Sequence, residues 1–330
     1  MADIHLTLAS KEYDHLRDLK DGSVKPEGIS LTCLNLYPTD VFYRFLRYKE
    51  WEVSELSLGK YASLVADGAA DMIGLPVFPL RVFRQNCFYV RRGSALRAPA
   101  DLAGKRVGIP EWAQTATIYV RGWIAHNVGV PLQSIDWIQA GVNEAGRAEK
   151  AAITLPDGLR VTPHPDRSLN DLLLAGEIDC IISATPPKSS HGANPAIVPL
   201  IADAQAAEEQ YFRDTGVFPI MHLIVMRKDI YQKHPWAAMN LLLAFEEAKN
   251  RSVERLRLRS PQFPLAWGTQ YVERMQDFLF GGGEYWPYGV EPNRRTLESF
   301  LTDCHEQGIC RRKLAPEELF APETLTRTRH

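Results

Sequence analysis

A handful of side chains in this 330-residue chain could bind and protonate an organic acid. Arg81 and Arg84 sit in a Pro-rich run, Pro76-Val77-Phe78-Pro79-Leu80-Arg81-Val82-Phe83-Arg84, that reads as a loop beyond a strand. A guanidinium presents a planar fork that matches a carboxylate, so either arginine can clamp one; ordinary salt bridging is the other use of such residues. Arg121 lies two turns into an apolar-periodic helix and either reaches a ligand or snorkels along that helix. His222 ends the run Phe218-Pro219-Ile220-Met221-His222. Imidazole is the usual proton donor near neutral pH, though a lone histidine in an apolar strand also serves as a packed core residue. Glu55 and Ser57 stand where a strand feeds a helix: the carboxylate can accept a hydroxyl proton, and the serine is a ligand or an N-cap. Tyr13 and Asp14 fall in the first strand–helix loop, where the ring can stack and the carboxylate can cap a helix or accept a proton. Thr115, at a helix start, either caps it or offers its hydroxyl and N–H to a carboxylate.

Other chemistries lack their residues. Histidines 5, 15, 126, 164, 191, 234, 305 and 330 show no His-Glu-x-x-His or similar spacing, so no metal site is predicted. Gly281-Gly282-Gly283 has no Lys-Ser/Thr after it, and Gly-x-Ser-x-Gly is absent, which argues against a phosphate loop and a hydrolase elbow. A net charge of −2 gives no basic excess for nucleic acid or membrane surfaces. No run of about 18 apolar residues predicts a membrane helix. Five scattered cysteines favour reduced thiols, and a strand pattern that starts at Ile4 leaves no room for a leader, so a cytoplasmic location is expected.

At roughly 150 residues per domain the length suggests two lobes. Apolar alternation predicts strands at 4–9, 29–36, 53–56 and 71–75, with helices between them from Thr39 or Asp40 and from Ser57. A crossing strand, 87–90, leads to the segment Pro99–Val130: a Gly104 turn, a strand at 106–109, a polar loop and a helix to about Asn127. Strand, loop and helix N-terminus in that order is how open α/β sheets build ligand sites. Strand 135–139, an irregular hairpin over 141–163, helix 168–175 and strand 178–184 follow. The chain then returns through a strand at 223–226 and a helix at 236–250. The expected division is 1–90 with 223–330 in one lobe and 91–222 in an inserted second lobe, with the ligand between them at the hinge.

Several segments carry a resemblance: Tyr13-Asp14, Phe42-x-Arg44, Glu55-Leu56-Ser57, the Pro76–Arg84 run, Asp101-Leu102-x-Gly104-Lys105-Arg106-Val107-Gly108, Thr115-Ala116 with Val120-Arg121-Gly122, Thr215-Gly216-x-Phe218-Pro219-Ile220-Met221-His222, and His234-Pro235-Trp236. Together they resemble the type II periplasmic binding-protein fold and, within it, the 4,5-dihydroxyphthalate decarboxylase family. The resemblance implies an α/β, two-lobed enzyme that converts 4,5-dihydroxyphthalate to 3,4-dihydroxybenzoate in phthalate catabolism; no cofactor is expected, and assistance by a loosely bound divalent ion is left open. For that chemistry we assign His222 as acid, Glu55 or Asp14 as acceptor for the substrate hydroxyl, and Arg81, Arg84 and Arg121 as carboxylate clamps, with Tyr13, Ser57 and Thr115 also at the substrate. Gln85-Asn86 departs from the His-Ser the family tends to carry there, which leaves a related hydroxylated aromatic acid open as substrate. A non-catalytic solute-binding protein for an aromatic acid is the alternative from the fold alone. The expected partner is a small aromatic acid, and a homo-oligomer is left open.

Overall fold

A computed structural model of the chain describes residues 3–149, 151, 153–258 and 266–326; His330 lies outside them. Among the described residues, eleven strands form two sheets. The first sheet contains β1 (Ile4–Ser10), β2 (Ile29–Asn35), β3 (Val53–Ser57), β4 (Met72–Arg81) and, far along the chain, β11 (Ile220–Arg227). The second contains β5 (Phe88–Arg91), β6 (Arg106–Ile109), β7 (Asp136–Gln139), β8 (Val161–Pro163), β9 (Cys180–Ile182) and β10 (Ile197–Pro199). Spatial orders are β2-β1-β3-β11-β4 and β10-β5-β9-β6-β7-β8. β1 runs parallel to β2 and β3, whereas β11 is antiparallel to both β3 and β4. The strands of the second sheet therefore fall between β4 and β11 in sequence.

The helices are α1 (Arg17–Lys20), α2 (Pro38–Tyr48), α3 (Leu58–Ala66), α4 (Thr115–Trp123), α5 (Leu169–Ala175), α6 (Ala204–Thr215), α7 (Lys228–Lys233), α8 (Trp236–Leu258), α9 (Gly268–Phe280) and α10 (Arg294–Glu306). Burial of Leu8, Val53, Leu56, Leu75, Val225 and Phe245 centres the main core on the first sheet, and it continues to Val107, Ile109 and Trp137 of the second.

Several local expectations are corrected. The Pro-rich loop is shorter than expected: β4 continues to Arg81 and leaves only 82–84 of that run outside the strand. Its pairing with β11 steps from Leu75↔Ile224 to Leu80↔His222, so Pro76 and Pro79 fall in the irregular stretch where no donor is required of them. The helix α2 begins at Pro38 with Tyr37 before it, and neither Thr39 nor Asp40 caps it. Instead of a hairpin over 141–163, β8 pairs parallel to β7. Helix α4 stops at Trp123 and passes into a single π-turn, Ile124–Val128.

Candidate active site

Glu55 and Ser57 are two apart on β3 and so share a face of the first sheet. His222 on β11 stands directly opposite Ser57, yet its imidazole reaches diagonally to Glu55, with Nδ1 2.5 Å from Oε1. The same oxygen accepts a 2.6 Å hydrogen bond from the Tyr13 hydroxyl, and Oε2 accepts the backbone N–H of Lys11 at 2.8 Å. Glu55 is fully buried while His222 keeps 15% of its side chain exposed. Burial pushes the Glu55 carboxyl up, but the His222 bond and charge, the Tyr13 hydroxyl and the Lys11 N–H outweigh it and hold the group below its usual range. An ionised Glu55 makes Nδ1 the donor, which fixes the tautomer and turns Nε2 away from the carboxylate. Phe42 of α2 meets the imidazole edge-on, centroids 5.0 Å apart. Burial and then the Glu55 charge push the Tyr13 phenol well above its usual value, so it stays a neutral hydroxyl.

Ser57 and Thr115 join the first strand–helix unit to the second. Their hydroxyl oxygens are 2.9 Å apart, and Thr115 Oγ1 accepts the N–H of Gly59 at 3.0 Å. Thr115 thus caps α3, not its own helix, and Ser57 precedes α3 without capping it. The approach is close: a Cβ at Gly59 would lie 2.8 Å from Ile118 Cδ1 and 2.9 Å from the Ala113 carbonyl.

The four remaining candidates separate. Arg84, half-buried, bonds through Nε to Met221 Sδ at 3.3 Å, next to His222 in sequence, and forms no ion pair among the described residues. Arg81 points elsewhere: it donates to Asn293 Oδ1 at 2.7 Å and the Phe218 carbonyl at 2.9 Å, and lies over the Phe218 ring. Arg121 is fully buried against the C-terminal part of the chain, donating to Gln307 Oε1 at 2.8 Å and the Trp112 carbonyl at 2.5 Å with its guanidinium 3.7 Å from the Trp112 ring. Helix periodicity places Arg121 on an inner face and cannot tell that face's neighbour. Burial lowers both guanidiniums to about 9. Asp14 is engaged by Ser252 at 2.5 Å and by Arg17 and Arg255 at 3.6 Å each, so its carboxylate faces α8 rather than Glu55.

Residues absent from the sequence reading of the site are His15, the Lys11 N–H and Trp286. His15 packs between Tyr13 and Trp286, with centroids 5.4 and 5.7 Å away, and burial lowers it to about 4. No local pattern marks them, since their roles come from the fold of the loop after β1. One trio among the described residues has donor atoms close enough to hold a metal: His126, Asp303 and Glu306, within 4.8 Å of one another. It ties the π-turn after α4 to α10 through His126 Nε2, 3.4 Å from Asp303 and 2.8 Å from Glu306.

No family model matches the chain. Among solved structures, the desulfurization enzyme DSZB superposes with a TM-score of 0.53 at 15% identity, covering 97% of both chains. The periplasmic aliphatic sulphonate binding protein SsuA from Escherichia coli gives 0.51 at 12% identity, covering 96% of this chain and 91% of that one. These place the two-sheet architecture in the two-lobed type II periplasmic binding-protein-like fold. By sequence, a 4,5-dihydroxyphthalate decarboxylase of Comamonas testosteroni is 33% identical over 327 residues, 98% of each chain. Another from Pseudomonas putida is 32% identical over 214 residues, 64% of this chain and 83% of that one. At that identity and coverage, the chain belongs to the 4,5-dihydroxyphthalate decarboxylase family.

Proposed function

We propose that the protein decarboxylates 4,5-dihydroxyphthalate to 3,4-dihydroxybenzoate, and that the His222–Glu55 pair carries the proton transfer. The observation behind this is the 2.5 Å contact between a buried carboxylate and a partly exposed imidazole, with a neutral tyrosine hydroxyl on the same oxygen. Family membership supplies the substrate class.

In this reading Glu55 does not touch the substrate, because its oxygens are already taken by Lys11, Tyr13 and His222. It holds the imidazole in one tautomer and stabilises the imidazolium. The substrate hydroxyl para to the departing carboxylate donates to the Tyr13 oxygen, whose own O–H donates to Glu55. Electron density moves into the ring as that hydroxyl shares its proton. His222 Nε2–H gives a proton to the ring carbon bearing the carboxylate. The carbon–carboxylate bond then breaks, its electron pair restores aromaticity, CO₂ leaves, and solvent reprotonates the imidazole. Arg84, which forms no ion pair among the described residues, clamps the carboxylate that stays. The departing one is not clamped, since only interactions that strengthen in the transition state raise the rate. Ser57, Thr115 and Phe42 line the approach.

With this reading go an intracellular location in phthalate catabolism, in keeping with five free cysteines, and lobes of 1–90 with 223–330 and of 91–222, adjusted by a few residues to the strand ends at Phe88 and Ile220. No helix among the described residues is long and apolar enough to cross a membrane. The test is CO₂ release from 4,5-dihydroxyphthalate and its positional isomers. Turnover of the 4,5-isomer with appearance of 3,4-dihydroxybenzoate supports the proposal. Tight binding without CO₂ release would make the protein a solute-binding protein.

A further inference from the structure

A cavity of about 270 Å³ lies between the end of β4, α6 and α9. Lys11, Tyr13, Glu55 and His222 do not line it, although Trp286, which packs on His15 beside Tyr13, borders both. Its walls are aromatic: Phe83, Phe218, Phe280 and Trp286 among them. The Phe83 and Phe218 rings are 4.9 Å apart, and Trp286 stands edge-on to Phe218 at 5.6 Å. Into this apolar wall the fold places Arg81, 94% buried (6% exposed). Its recorded partners are neutral oxygens, its Nε has none, and no carboxylate is paired with it among the described residues. A buried cation without a counter-ion is costly, and an anion brought to it recovers part of that cost. Across the lining, Glu208 has a buried Oε1 with no partner. Trp286 adopts φ +55°, a backbone conformation rarely taken by bulky residues and concentrated where function over-determines it. The volume sits just under the range of about 300–1,000 Å³ for small-molecule sites, a size for one ring and not several.

We propose that this cavity is a second binding site, separate from the catalytic pair, for a hydroxylated aromatic monocarboxylate. The carboxylate meets Arg81, the ring lies among Phe83, Phe218 and Phe280, and the hydroxyl points to Glu208. The test is calorimetric titration of 4-hydroxybenzoate into the full-length protein, with phenol as control, in the wild type and in Glu55→Gln, Arg81→Met and Met275→Trp; Met275, on α9, lines the cavity and is not one of the catalytic group. Expected results are undiminished binding in Glu55→Gln, at least tenfold weaker binding in Arg81→Met, loss in Met275→Trp, and phenol at least tenfold weaker than 4-hydroxybenzoate. If Arg81→Met fails to fold, Met275→Trp decides, because it leaves every Arg81 bond in place. Binding lost in Glu55→Gln but kept in Met275→Trp would put the ligand in the catalytic cleft, and phenol binding as tightly would mean an apolar hole without anion recognition; either result overturns the proposal. CO₂ release by Met275→Trp should match the wild type, and its absence from the wild type itself would count against the decarboxylase reading alone.

Discussion

His222 and Glu55 are 167 residues apart in sequence and 2.5 Å apart in space, joined diagonally across two antiparallel strands. The contact depends on the return of β11 between β3 and β4, so one sheet holds the partner carboxylate and the imidazole on rigid neighbours.

Glu55→Gln keeps the shape of the side chain and removes its charge. Turnover is expected to fall roughly 10²-fold or more, the scale of a lost acid–base contribution, while Tyr13→Phe keeps the imidazole partner and should cost less. Because the carboxyl is held below its ordinary 4.5, it contributes stability that is complete above that value and lost as pH falls through its lower folded value. Thermal melts below pH 4.5 should therefore drop less steeply for Glu55→Gln than for the wild type.

Arg84 and Arg121 should respond in opposite ways. Arg84→Ala is expected to lower kcat/KM for a dicarboxylate by about 1.5–3 kcal/mol, the worth of a charge-assisted bond, with little change in Tm. Arg121→Ala strips a fully buried side chain from Gln307 and Trp112 and should lower Tm strongly while the folded fraction turns over normally. Kinetics and melts on the two variants separate the roles.

The α4–α10 contact is tight at Gly122, where a Cβ would lie 2.2 Å from Asp303 Oδ2. Gly122→Ala should destabilise by about 1–3 kcal/mol, as overpacking does. Asp303 raises His126 from 6.5 to about 9, first by its hydrogen bond and further by its charge with Glu306. A raised folded value means stability that is full below pH 6.5 and lost as pH rises through about 9. The exposed side chain keeps the effect small. His126→Gln should flatten that decline in Tm between pH 6.5 and 9.

Thr115→Val removes the hydroxyl that Gly59 and Ser57 share. It should cost about 1 kcal/mol of stability, the net worth of a hydrogen bond, measured by denaturant titration.

The order of strands and helices was legible because each buries one face and so shows its period, as Ile4, Leu6 and Leu8 do for β1. Glu55 and His222 were legible as residue types at strand positions, but their pairing was not, since register between distant strands leaves no local trace. The prolines of β4 read as a loop because propensity cannot see a ladder interrupted opposite them. Arg121 read as a ligand clamp because arginine is seldom fully buried; the ring and carbonyl of Trp112 and the distant Gln307 hold it inside.

The most direct measurement is the turnover of His222→Gln with 4,5-dihydroxyphthalate, set beside the dissociation constant of the same substrate. An amide can hold a hydrogen bond but cannot deliver a proton to carbon. The account predicts a fall in kcat of about 10²–10⁴-fold with binding kept within a few-fold, and no comparable loss of Tm. A His222→Gln variant that releases CO₂ at a near-normal rate would contradict it and leave the histidine as a packing residue.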